Sequence, residues 1–134
     1  MNTGLLIATS VLVGIAALIH LYIFVLESIR WREPKTWRTF GLASQADADT
    51  VRSMAFNQGF YNLFLAIGSA LGLILLWAGM PEAGAALVFL AAGSMVAAAL
   101  VLIISSPKLA RAAAIQGLAP LLGIIALLLA LNLT

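Results

Sequence analysis

The chain has 134 residues, of which 63% are hydrophobic and 9% charged, with a mean hydropathy of +1.11, whereas soluble domains carry about 25% charged residues. A soluble globule of this size would lack the polar residues to coat its surface, so the composition specifies an integral membrane protein. With no cysteine and one histidine, disulfides, thiolate chemistry and a multi-histidine metal site within one protomer are excluded, and the net charge of +2 sits on loop arginines and lysines that report topology, not a nucleic-acid partner.

A hydrocarbon core of about 30 Å takes about 20 apolar residues per helix. Four stretches meet that requirement, approximately Gly4 to Ser28, Met54 to Gly79, Ala83 to Ser105 and Ala114 to Leu133. None shows the two-residue alternation of a barrel strand, and Ala, Leu and Gly outnumber the β-branched residues. The expected fold is all-α: a polytopic four-helix bundle forming a single domain over residues 1–134, since no connection is long enough to hold a second fold.

The first span opens with MNTGLL, which has neither a basic n-region nor an A-x-A-like site, so the helix is expected to be retained and not cleaved as a signal peptide. Within it, His20 and Glu27 are seven residues apart and share one face two turns apart. Arg30 follows Glu27 at i+3, a spacing that predicts an ion pair. His20 lies deeper, where a neutral imidazole donates one hydrogen bond and accepts another; a structural and an acid–base role are both open to it.

The first connection, RWREPKTWRTFGLASQADADTV, is broken by Pro34 and Gly41. Trp31, Trp37, Phe40 and Leu42 alternate with basic residues, a composition suited to an anionic headgroup surface. Residues 46–52 are expected to cap the second span, with Ser44 or Asp47 near the N-cap. The reading is a membrane-surface loop with a helical cap, and the alternative is a lid over a pocket.

The second span begins with MAFNQGFYN. Helical spacing pairs Asn57 with Tyr61, and Gln58 with both Tyr61 and Asn62. Lipid satisfies none of these groups, so they are expected to face the bundle interior, a partner helix or a wet pocket. Interhelical hydrogen bonds of about 0.6 kcal/mol each need one or two such residues, and this cluster exceeds that. Trp77 closes the span and joins Trp31 and Trp37 as expected interfacial anchors.

Gly79, Pro81 and Gly84 mark a tight turn into span three. Its Gly84, Ala91, Ala92, Gly93, Ala97 and Ala98 allow close backbone approach, read as packing within the bundle ahead of a dedicated oligomer face. Ser105, Ser106 and Pro107 end it. Span four carries Gln116 at the depth of the other polar residues, with Arg111 one turn before the membrane, and Pro120 is expected to bend it near Gln116 or Gly117.

All seven Lys and Arg residues lie on one side, in the first connection (Arg30, Arg32, Lys35, Arg38, Arg52) and the third (Lys108, Arg111). Glu82 is the only charged side chain opposite. The positive-inside rule therefore predicts a multi-pass membrane protein with both termini outside the cytoplasm, which for a bacterial inner membrane means periplasmic. The half expected at the cytoplasmic side gathers His20, Glu27, Asn57, Gln58, Tyr61, Asn62 and Gln116, and the other half is nearly all aliphatic.

The segments HLYIFVLESIRW, TWRTFGL and AFNQGFYNLFLAIG resemble the signatures of a family of small bacterial four-helix membrane proteins catalogued as domain of unknown function thirteen-oh-four. This resemblance spans essentially the whole chain and implies the architecture but no activity. A more distant similarity is to the membrane-associated eicosanoid and glutathione metabolism (MAPEG) proteins. Their second helix opens with an Arg and then an Ala-His-x-Asn-x-x-Glu-Asn run. Here Arg52 precedes AFNQGFYN, in which Ala55 and Asn62 match while Phe56, Gln58 and Tyr61 replace the His, Asn and Glu. That similarity implies a homo-oligomer, a trimer with a dimer as the alternative, and glutathione as the ligand.

The function expected is binding, and at most transformation, of a lipophilic or amphipathic small molecule in a polar pocket at the cytoplasmic side of the bundle, with membrane lipid around it. In that reading His20 and Tyr61 are the acid–base candidates. Asn57, Gln58, Asn62 and Gln116 orient the ligand, Glu27 lines the pocket, and Arg30, Arg52 and Arg111 contact an anion; no metal is expected. The alternatives are a non-catalytic assembly subunit and a small homo-oligomeric transporter. Transport is disfavoured at this stage because Glu27 is expected beside Arg30 at the membrane boundary and no other span carries an acid.

Overall fold

The computed structural model describes residues 1–133. Helix α1 (Thr3–Phe24) continues into a wider π turn (Val25–Ile29), and two short helices follow, α2 (Pro34–Thr39) and α3 (Gln45–Thr50). Then come α4 (Arg52–Trp77), α5 (Pro81–Ser105), a 3-10 turn (Pro107–Leu109) and α6 (Ala110–Asn132). No strand occurs among the described residues. Four helical segments of 27, 26, 25 and 26 residues are long and apolar enough to cross a membrane, each spanning about 38 Å at 1.5 Å per residue. All four start earlier than their apolar runs, by one residue at Thr3 and by seven at Pro107, because helix geometry continues into residues that hydropathy does not register.

The four long helices form an antiparallel bundle in which each packs on its neighbour in sequence and α6 closes against α1. The packing is inside-out relative to a soluble bundle. Leu18, Leu90 and Ile104 point outward at 66%, 70% and 80% exposure, an apolar surface that only lipid tolerates. The seams are built from small residues, among them Ala66, Ala92, Ala99, Ala113 and Ala130, all buried, so that backbones approach closely. At the α4–α5 seam, a Cβ on Gly84 would lie 2.6 Å from the Leu76 backbone nitrogen and one on Gly72 would lie 3.0 Å from the Gly84 carbonyl oxygen. The α1–α6 seam is as tight: a Cβ on Gly123 would meet Val13 Cγ2 at 2.7 Å. Helix α6 runs unbroken through Pro120, whose ring is buried.

At the end away from the basic residues, Asn2 caps α1 through a hydrogen bond from the Leu5 backbone N–H to its side chain (3.1 Å), and its own N–H donates to the Ala130 carbonyl of α6 (3.0 Å). Trp77 Nε1 donates to Ser10 Oγ (2.9 Å) while more than half its surface stays exposed, as an interfacial anchor requires.

The other two tryptophans correct the expectation of an aromatic belt. Trp31 and Trp37 are buried with Ala48 and Ala55 in a second small core, against which Phe40, Leu42 and Val51 pack. Trp31 Nε1 donates to the Ala48 carbonyl (2.9 Å) and Trp37 Nε1 to Gln45 Oε1 (3.2 Å). The indoles gain more from a dry, hydrogen-bonded site than from the headgroup region, so the first connection folds into a structured cap. Ser44 is the N-cap of α3, its Oγ accepting from the Asp47 N–H (3.1 Å).

Candidate functional site

At the basic end of the bundle the polar residues divide into a buried set and an outer set. Glu27, in the π turn, is buried and its Oε2 accepts a hydrogen bond from Asn62 Nδ2 on α4 (2.8 Å). The Asn62 amide also donates to the Gln58 carbonyl (3.3 Å). The first span and α4 are in close contact here. Ser28 Oγ donates to the Phe56 carbonyl (2.8 Å), and a Cβ on Gly59 would collide with the Ser28 hydroxyl and stand 3.1 Å from Glu27 Cβ. Sequence reasoning passed over Ser28 and Gly59. Their signal is a small residue in the polar stretch at i+4 from Ala55 and i−3 from Asn62, which puts it on the buried face of α4.

The expected Glu27–Arg30 pair does not form. Arg30 forks onto Glu33 instead, Nε to Oε1 at 3.0 Å and Nη2 to Oε2 at 2.7 Å, the one ion pair among the described residues. Both partners are about half exposed, so the pair forms without the desolvation a guanidinium would undergo beside buried Glu27. The Arg30 hydrogen bond holds the Glu33 carboxyl below its ordinary value, and the same bond raises the Arg30 guanidinium.

His20 is buried, its Nδ1 2.8 Å from the Ala16 carbonyl, which fixes the ring against its own helix. Val13 abuts Gly123. Because α1 and α6 are antiparallel, His20 and Gln116, each seven residues from that contact toward the basic end, stand at one level. Gln116 is half-buried on the face of Pro120 and Gly123. The interior of the basic half thus holds His20, Glu27, Asn62 and Gln116.

Asn57, Gln58 and Tyr61 do not join them, which corrects the expectation of a single inward cavity. All three are exposed, Tyr61 at 57%. The inward face of α4 is taken by Ala55, Gly59 and Asn62, and at 100° per residue the other polar positions rotate out. Ser53, Asn57, Tyr61, Phe64 and Gly68 instead form one outer stripe. Its deep end lines an apolar groove between α4 and α5, with Leu87 and Leu90 opposite, of about 250 Å³. At its other end Asp49, Arg52, Ser53 and Phe56 border a polar recess of about 450 Å³. Arg111 is exposed at the start of α6. No cluster of three or more metal-ligating side chains occurs among the described residues.

Residues 14–128 match the family described as "Protein of unknown function (DUF1304)". The chain belongs to this family. The match runs from within α1 to within α6 and covers His20, Glu27, Asn62, Gln116 and the outer stripe of α4. Neither a curated protein nor a solved structure matches the chain. In this DUF1304 protein the two positions shared with the MAPEG run, Ala55 and Asn62, are both buried, whereas the three replaced, Phe56, Gln58 and Tyr61, are all exposed. Ala55 and Asn62 pack the helix against its neighbours, and Phe56, Gln58 and Tyr61 face outward.

Proposed function

We propose that this protein is a bacterial inner-membrane protein that binds an amphipathic small molecule from the cytoplasmic leaflet. The polar part of the ligand lies against Asn57 and Tyr61, with Arg52 as an anion contact, and its apolar part lies in the α4–α5 groove. The observation that carries this reading is the continuity of the outer stripe: exposed amide and phenol groups at a depth where lipid offers no partners run directly into an apolar groove. Such sites pair an apolar wall with a few placed polar groups. Tyr61 is the acid–base candidate if the ligand is transformed, and a homo-oligomer, trimeric or dimeric, would cover the stripe from the acyl chains. Glutathione, suggested only by the distant similarity, serves as one probe ligand. The test is mass spectrometry of what stays bound after mild detergent extraction. Asn57→Ala combined with Tyr61→Phe should lose the retained molecule while keeping the wild-type helix content; retention unchanged in that variant rejects the reading.

A second reading, a small transporter, gains support from Glu27. Transport is disfavoured by the lack of an acid in any other span and by the expected place of Glu27 beside Arg30 at the membrane boundary; of these two grounds the pairing fails, since Arg30 is engaged by Glu33. Glu27 is an acid within the first span whose hydrogen-bond partner is an amide of the neighbouring helix, the kind of group that marks ion and proton paths. Uptake into proteoliposomes driven by a pH gradient and lost in Glu27→Gln would favour transport over simple binding.

A further inference from the structure

A second recess at the basic end is unrelated to the α4 stripe. It lies between the end of α1 and α2, has a volume of about 120 Å³, and is lined by Tyr22, Arg30, Glu33, Lys35, Thr36 and Thr39, with Leu26 as its apolar side. Its polar groups have spare capacity. Arg30 commits Nε and Nη2 to Glu33 and leaves Nη1 free. Among the described residues the Lys35 ammonium has no ion-pair partner, and Thr36 lines the recess beside it. A carboxylate has about four acceptor sites, and Arg30 takes two of those on Glu33.

The recess stands where the first span ends, and below it the outward face of α1 carries Tyr22, Leu18, Ile15 and Val11, all exposed and three or four residues apart along one stripe. An occupant therefore has donors for an anion, an acceptor for a cation, and an acyl-length apolar track leading into the bilayer. We infer that this recess is a binding site for a phospholipid whose headgroup carries both a phosphodiester and a primary ammonium. The phosphate meets Arg30 Nη1, Lys35 and Thr36, the ammonium meets Glu33, and one chain follows the α1 face. Group-by-group pairing supports the zwitterion: Arg30 and Lys35 face the phosphate and Glu33 faces the ammonium, whereas the hydroxyls of an anionic glycerol headgroup offer Glu33 only neutral, weaker donors. A quaternary ammonium has no N–H to donate.

The test uses the full chain in mild detergent, incubated separately with dioleoyl phosphatidylethanolamine, phosphatidylcholine, phosphatidylglycerol and inorganic phosphate, with bound lipid counted by native mass spectrometry. Phosphatidylethanolamine should be retained about tenfold better than the other two lipids, the scale of one charge-assisted hydrogen bond, and inorganic phosphate should not displace it. Glu33→Gln should erase the preference over phosphatidylglycerol. Lys35→Gln, which removes a side chain without a protein partner, should lower retention of both phosphatidylethanolamine and phosphatidylglycerol and guards against a loosened cap in the first variant. Equal retention of the three lipids by wild type, displacement by phosphate alone, or a preference unchanged in both variants overturns the assignment. Asn57→Ala should leave all of these readings untouched, so this site and the α4 stripe are tested separately.

Discussion

Glu27 in the π turn that ends the first span and Asn62 of α4 are joined by a 2.8 Å hydrogen bond between buried side chains, and this contact ties the two segments beside the close approach at Gly59. A buried acceptor left without its donor loses about 1 to 3 kcal/mol. Asn62→Leu should therefore destabilise the bundle more than Glu27→Gln, which keeps shape and a hydrogen-bonding oxygen. A double-mutant cycle on the two positions, read by unfolding in mixed micelles, should give a coupling of about 0.6 to 2 kcal/mol. Additivity would mean that the contact contributes nothing.

Gly59→Ala should be costly, because its Cβ would displace the Ser28 hydroxyl and press on Glu27 Cβ. Separating α1 from α4 would weaken the Ser28–Phe56 and Glu27–Asn62 bonds together, and overpacking of this kind costs about 1 to 3 kcal/mol. Gly93→Ala is the control. Nothing lies within 4 Å of its added Cβ, so it should be neutral or stabilising by up to about 1 kcal/mol through helix propensity.

The cap should open before the bundle does. Trp31→Phe keeps most of the apolar contact but strands the Ala48 carbonyl, an expected loss of about 1 kcal/mol. The loss should appear as faster hydrogen exchange and proteolysis over residues 40–50, with the four long helices still protected. Uniform loss of protection throughout the chain would show that the cap is not a separate unit.

The Arg30–Glu33 pair should give the cap a mild acid sensitivity. The native carboxyl of Glu33 lies below its ordinary value of 4.5 because Arg30 hydrogen-bonds it. Its contribution is therefore complete above about pH 4.5 and is lost as pH falls through the depressed native value. Protease sensitivity of the 30–45 segment should rise over that window in wild type and show no such rise in Glu33→Gln. Both groups are in water, so the effect should be small and should shrink in high salt.

Topology is testable because the chain has no cysteine. A single Met80→Cys should react with a membrane-impermeant maleimide in intact cells, and Lys35→Cys only after the membrane is opened. The reverse pattern would contradict the positive-inside assignment of both termini to the periplasm.

The sequence by itself determined the all-α architecture and the four membrane-length helices, and it narrowed the N-cap after the first connection to Ser44 or Asp47, between which the structure chooses Ser44. These follow from local quantities: apolar length, absence of strand alternation and capping chemistry. It also brought His20, Glu27, Asn62 and Gln116 to one half of the bundle, because heptad spacing and antiparallel order fix depth. Only the tertiary structure decided which way each polar side chain faces. The polar residues of MAFNQGFYN cover an arc of about 140° at about 100° per residue, and periodicity cannot choose which edge of that arc faces inward until Gly59 is seen to admit Ser28. Nor could spacing choose between Glu27 and Glu33 as the partner of Arg30, since both are three residues away. The choice falls to desolvation, which depends on burial by α4, a helix that arrives more than twenty residues later in the chain. Trp31 and Trp37 were misread for the same reason: an indole beside basic residues has the same local sequence whether it rests on headgroups or seals a core with Ala48.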